Sequence, residues 1–88
     1  MKYNLFLTNT FIRNYEKLPR NIQNRTKENL QVLRNNPFAG KKLTGDLKGE
    51  YSYRIGDYRI IYTMEKDEIF VEAIGHRKDI YSKLKKQT

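Results

Sequence analysis

The stretch from Tyr51 to Met64, YSYRIGDYRIIYTM, constrains the fold more tightly than any other part of the chain. Apolar and polar residues alternate on both sides of Gly56-Asp57, a dipeptide suited to a two-residue hairpin turn. That turn fixes a register: Ile55 faces Tyr58, Arg54 faces Arg59 and Tyr53 faces Ile60. Side chains alternate between the two faces of a strand. Tyr51, Tyr53 and Ile55 therefore share an apolar face with Tyr58, Ile60 and Tyr62, and the other face carries Glu50, Ser52 and Arg54 beside Arg59, Ile61 and Thr63. Directly opposed arginines repel one another. A bound phosphate or carboxylate would offset that repulsion, because a guanidinium fork suits both groups. The alternative is that Glu50 or Glu72 neutralises the pair and nothing binds.

A second hairpin follows across Glu65-Lys66-Asp67-Glu68. A loop of two or four residues gives the same pairing, Met64 with Ile69, Tyr62 with Val71 and Arg59 with Ile74. On this register Ile69, Val71 and Ala73 join the apolar face, and Phe70, Glu72 and Ile74 join the open one. His76, the only histidine, shares the parity of Ile74, so Arg54, Arg59 and His76 are expected to converge at one end of the open face. Arg77, Lys78 and Tyr81 follow at once and strengthen the case for an anion site. His76 is suited to acid–base chemistry near neutral pH; the other reading is a strand-end histidine with no role.

The N-terminal half reads differently. Tyr3–Leu7 alternates like a strand. Thr8, Asn9 and Thr10 are each able to cap a helix that carries Phe11, Tyr15 and Leu18 on one side, with Ile12 beside them. Pro19 ends that helix and suits the first turn of another, with Ile22, Thr26, Leu30 and Leu33 along one side. Residues 37–49, with three glycines, read as a loop. Asp79 is placed to cap a short last helix through Ile80 and Leu84. The expected fold is α+β, in the order β-α-α-β-β-β(-α): one domain over residues 1–88, with the helical hairpin packed on one face of a four-stranded antiparallel sheet.

Eighteen Lys+Arg stand against 10 Asp+Glu, a formal net charge of +8, which points to a polyanionic partner such as nucleic acid or an acidic protein. No segment is both long and apolar, so a membrane partner is not expected. The absence of cysteine in so small a chain favours a reducing cytoplasm, and MKYNLFLTNTF lacks the features of a signal peptide. One histidine and no cysteine make a transition-metal site improbable, and no cofactor is expected.

The element order, together with LTGDLKGEYSYRIGDYRIIY and IGHRKDIY, resembles the RelE/ParE superfamily of bacterial and archaeal toxins over nearly the whole chain. YRIGDYRIIY and IGHRKDIY resemble the RelE side most closely. The resemblance implies a ribosome-dependent endoribonuclease that cuts mRNA in the A site of the 70S ribosome, silenced by a RelB-like antitoxin. It also implies site residues: Arg54, Arg59, Arg77 and Tyr81, with His76 where relatives carry His or Lys. Lys48, Lys78, Lys83, Lys85 and Lys86 are the lysines expected to contact RNA. Many relatives have a second Lys or Arg two positions before Arg54, where this chain has Ser52, so the general base is left open among His76, Glu50, Glu72 and Lys48. The reaction implied is metal-free attack of the ribose 2′-OH on the adjacent phosphorus, giving a 2′,3′-cyclic phosphate. Two further readings stand beside it, a ParE-like inhibitor of DNA gyrase and a catalytically silent module that binds RNA or its antitoxin.

Overall fold

The computed structural model describes residues 3–82. Its elements run β1 (Asn4–Leu7), α1 (Asn9–Glu16), α2 (Arg20–Asn35), β2 (Lys41–Lys42), β3 (Tyr51–Ile55), β4 (Tyr58–Glu65) and β5 (Glu68–His76). Residues 80–82 are again helical. Short 3₁₀ turns at Pro37–Ala39 and Gly45–Leu47 flank β2. The expected strands and helical hairpin are all present, with the hairpin on one face of the sheet. An additional strand precedes the β3–β5 meander, and the sheet is five-stranded and mixed, in the order β1-β5-β4-β3-β2, where four antiparallel strands were expected.

The β3–β4 register is the expected one, including Arg54 opposite Arg59 and Ile55 opposite Tyr58. Gly56 has φ +59°, a conformation that favours glycine, at the first central position of the turn. Ile55, Ile60, Tyr62, Ile69 and Val71 form the core with Phe11, Leu30 and Leu33 of the helices. Thr8 is the residue that caps α1, its hydroxyl accepting from Phe11 N at 3.1 Å.

The first strand lies parallel to β5, where an antiparallel partner was expected. The cause is the length of the helices. β1 and α1 together carry the chain forward about 25 Å, and the 16 residues of α2 bring it back about 24 Å. The chain thus returns to the beginning of β1 rather than its end. Tyr3 N donates to Arg34 O at 2.9 Å, and Arg34 Nε donates to Tyr3 O at 3.1 Å. The sheet is re-entered from the end where β1 entered it. β3, and β5 two antiparallel steps later, must then run in the direction of β1.

The fifth strand, β2, comes from the segment read as a loop. It pairs with the start of β3, Lys41 with Ser52 and Lys42 with Tyr51. The buried Tyr62 hydroxyl fastens this segment by donating to Pro37 O at 2.8 Å and accepting from Gly40 N at 3.0 Å. A Cβ on Gly40 would overlap that hydroxyl, so only glycine fits there.

A β-bulge corrects the β4–β5 register. Tyr62 pairs with Val71 as expected, but Ile61 pairs with Ala73, leaving Glu72 as the extra residue. Thr8 stabilises the bulge, its N–H donating to Val71 O at 3.2 Å and its hydroxyl to Glu72 O at 2.9 Å. Every residue after the bulge changes face. Ile74 opposes Ile60 in the core, Gly75 rather than Ile74 opposes Arg59, and Ala73 turns to the open face.

Burial pushes the Tyr62 phenol up to about 12, against the pull of the Gly40 N–H. The unfolded phenol ionises near its ordinary value of 10.0. Its contribution to stability is therefore complete below about pH 10 and is lost as pH rises toward 12. Tyr62→Phe is expected to cost about 1–3 kcal/mol, because Pro37 O and Gly40 N lose their partner. Denaturant melts across pH 9–12 check both statements: the wild type should lose stability more steeply than Tyr62→Phe above pH 10.

Candidate functional site

The open face gathers the site residues around the tip of the β3–β4 hairpin. Arg54 Nε donates to Gly56 O at 3.2 Å, and Arg59 Nη1 donates to the same oxygen at 3.3 Å and to Tyr58 O at 3.2 Å. The opposed arginines are thus held together by the turn carbonyl. Among the described residues no carboxylate lies within 4.0 Å of either, so neither Glu50 nor Glu72 neutralises the pair.

Arg77 joins them from the turn after β5. Its N–H donates to Asp57 O at 2.8 Å, which fixes its backbone against the hairpin tip. Its Nε lies 3.9 Å from Asp57 Oδ1, and both side chains are more than half exposed. Such a pair contributes little to stability and leaves the guanidinium accessible.

The chain beyond β5 folds over the open face. Ile80 packs with Ile61 and Ala73, and Leu43 and Tyr81 border this second small core. A Cβ on Gly75 would stand 3.1 Å from Ile80 Cδ1, so the glycine makes room for that close approach. Ile80 carries Tyr81 to Ser52, and the two hydroxyls lie 2.9 Å apart. Ser52 is therefore the hydrogen-bond partner of Tyr81.

The structure brings Arg54, Arg59, Arg77 and Tyr81 to this side of the sheet and turns His76 away. The bulge pairs His76 with Tyr58, on the face that carries the helices. The two rings meet edge to face with centroids 5.6 Å apart. His76 Nδ1 accepts from Lys78 N at 3.2 Å, an arrangement that places the neutral ring's hydrogen on Nε2. Lys78 and Lys48 are exposed. Lys83, Lys85 and Lys86 lie outside the described residues.

Glu50 sits at the other end of the open face. Its carboxyl is raised above the usual value by partial burial first and by the Glu72 carboxylate second. Glu72 Oε2 accepts from the Thr63 hydroxyl at 3.4 Å. Among the described residues no group of three or more His, Asp or Glu is arranged to hold a metal ion. No described helix is long and apolar enough to cross a membrane.

A helical hairpin packs on one face of a mixed sheet and arginines cluster on the opposite face, which makes this a small basic α+β protein. The chain belongs to the ParE toxin family of type II toxin–antitoxin systems, which matches residues 5–81. It is a toxin related to RelE: the Toxin RelE of Mycobacterium tuberculosis is 38% identical over 74 residues, covering 82% of this chain and 76% of that protein. The toxin–antitoxin complex RelBE2 of the same organism contains a chain that superimposes with a TM-score of 0.82 at 30% identity, over 88% of this chain and 100% of that one. The RelB–RelE complex of Methanococcus jannaschii gives a TM-score of 0.73 at 28% identity, over 89% and 96%. A double mutant of the toxin RelE of Escherichia coli in the free state, 23% identical, shares the fold at a TM-score of 0.77 over 99% of this chain and 98% of that one.

Because burial and Glu72 both favour its protonated form, Glu50 contributes stability below its ordinary value of 4.5 that is lost as pH rises through its higher folded value. Glu50→Gln is therefore expected to raise the melting temperature at pH 7 and to change it little at pH 4. Thermal melts at the two pH values check this.

Proposed function

We propose that this toxin is a ribosome-dependent endoribonuclease that cuts mRNA in the A site without a metal ion. The observation that carries the reading is the convergence of Arg54 and Arg59 on Gly56 O, with Arg77 held beside them. Like charges placed together on an exposed face suit a bound phosphodiester. In this reading the ribose 2′-OH gives up its proton to a base and attacks the adjacent phosphorus. The bond to the 5′ oxygen breaks, and that oxygen takes up a proton. The products are a 2′,3′-cyclic phosphate and a 5′-OH.

Arg54, Arg59 and Arg77 stabilise the charge that grows on the phosphorane, a task for which arginine needs no proton exchange. Tyr81, oriented by Ser52, stacks on a base or hydrogen-bonds the 2′-OH. His76 takes part in proton transfer only where the substrate curls round the end of β5, because its ring lies on the helix side beside Tyr58. A site equipped mainly for charge stabilisation needs its substrate delivered in attack geometry, and orientation by the ribosome is able to supply several kcal/mol of the barrier. A RelB-like antitoxin with an acidic binding segment is the partner that would silence the site, and Lys48 and Lys78 are assigned to RNA contact. The related chains of known structure in complex with RelB support that partner. In the alternative reading, which takes its support from the ParE family match, the target is DNA gyrase.

The test is cleavage of a defined mRNA on programmed 70S ribosomes. Free RNA is expected to be cut poorly or not at all, and A-site cleavage of a message carrying a phosphorothioate at the scissile linkage is expected to show no rescue by manganese. Arg77→Ala should lower the single-turnover rate by about 10²–10³, and His76→Gln by less than about tenfold. Strong cutting of free RNA would defeat ribosome dependence. Inhibition of gyrase with mRNA left intact would replace the nuclease reading.

A further inference from the structure

The hairpin tip has a neighbour that the open face does not account for. A Cβ on Gly56 would stand 3.2 Å from Nη1 of Arg25 and 4.0 Å from its Cζ and Nη2. Arg25 belongs to α2, so its guanidinium comes over the turn from the helix layer, the side opposite Arg54 and Arg59. Ile22 and Thr26 anchor that part of α2 in the core, while Arg25 itself is exposed. Glycine at 56 is favoured by its positive φ, and its lack of a Cβ leaves room for Arg25 to lie close over the turn.

Four guanidinium groups therefore surround a two-residue turn: Arg54 and Arg59 on Gly56 O, Arg77 against Asp57, and Arg25 above Gly56. Among the described residues the one carboxylate within 4.0 Å of any of them is Asp57, at 3.9 Å from Arg77 Nε. Such a cluster repels itself unless an anion is shared. The open-face arginines are already engaged with the turn carbonyl. Arg25 extends the positive surface round the edge of the sheet to the helix layer.

We propose that Arg25 holds a second phosphate, one belonging to an RNA backbone that passes over the hairpin tip outside the linkage that is cut. The inference rests on the RNA-directed reading above and deepens it. Arg25 is a binding residue in this assignment and touches no reacting atom. The phosphate comes from ribosomal RNA or from the mRNA, and the chemistry of recognition is the same for both.

The measurement is the affinity of wild type, Arg25→Gln and Arg25→Lys for 70S ribosomes over a salt series, with vacant and with mRNA-programmed particles. Arg13→Gln, which removes an exposed arginine from α1, is the control for net charge. Melting curves establish that the variants are folded to the same extent. Arg25→Gln should bind roughly 3–10-fold more weakly, with a salt slope shallower by about 0.7–0.9, while Arg13→Gln and Arg25→Lys keep the wild-type slope. A loss on vacant as well as programmed ribosomes assigns the phosphate to ribosomal RNA, and a loss on programmed ribosomes alone assigns it to the message; either supports the inference. Arg25→Gln matching Arg13→Gln in affinity and slope overturns it, as does weakened binding of an acidic peptide with ribosome binding intact. Intact mRNA on wild-type ribosome complexes would remove the nuclease reading, and the salt slope would still decide the Arg25 contact.

Discussion

The carbonyl oxygen of Gly56 is the acceptor on which the site depends. It is available because the turn is two residues long and because glycine accepts φ +59° at its first position. The turn sets the register that places Arg54 opposite Arg59. The carbonyl then holds both side chains where Coulomb repulsion would otherwise splay them. The same turn receives Arg77 through Asp57 and Arg25 from the helix layer. A short backbone segment without a large side chain of its own thus organises four cations contributed by three separate parts of the chain.

The strand faces allocate the remaining tasks. One face closes on the helices and carries the stability of the domain through Phe11, Leu33, Ile60, Tyr62, Ile69 and Val71. The other is covered only in part, by Ile80 and the residues around it. Tyr81 is brought to Ser52 by that partial cover, so the segment after β5 both shields the sheet and supplies a site hydroxyl. Loss of Ile80 packing would disturb the site before it disturbed the main core, since the two clusters are on opposite faces.

Much of this was legible in the sequence. The alternation around Gly56-Asp57 specified the β3–β4 register and the arginine pair, because turn length and the two-residue strand period leave no other solution. The helix spacing identified Phe11, Ile22, Leu30 and Leu33 as core. The parallel β1 was hidden because it follows from relative helix lengths and from where α2 deposits the chain, which periodicity does not report. The bulge at Glu72 was hidden because nothing local in IFVEAIGH breaks the alternation; its support comes from Thr8, sixty-four residues away. That one inserted residue moved His76 from the expected open face to the helix side. Arg25 was hidden for a similar reason. On the helix it reads as an ordinary solvent-facing residue, and its contact with Gly56 exists only after the layers pack.

The central claim is that the turn-bound arginines form a phosphate site on the open face. NMR of the protein with ¹⁵N-labelled arginine, titrated with a short RNA carrying a 2′-deoxy substitution at its central linkage, tests it most directly. The account expects the Nε signals of Arg54 and Arg59 to shift together with Arg77 at a common RNA concentration, and to stop responding to RNA in Arg77→Ala. Unmoved Arg54 and Arg59 signals at saturating RNA, with shifts confined to arginines away from the hairpin tip, would contradict it.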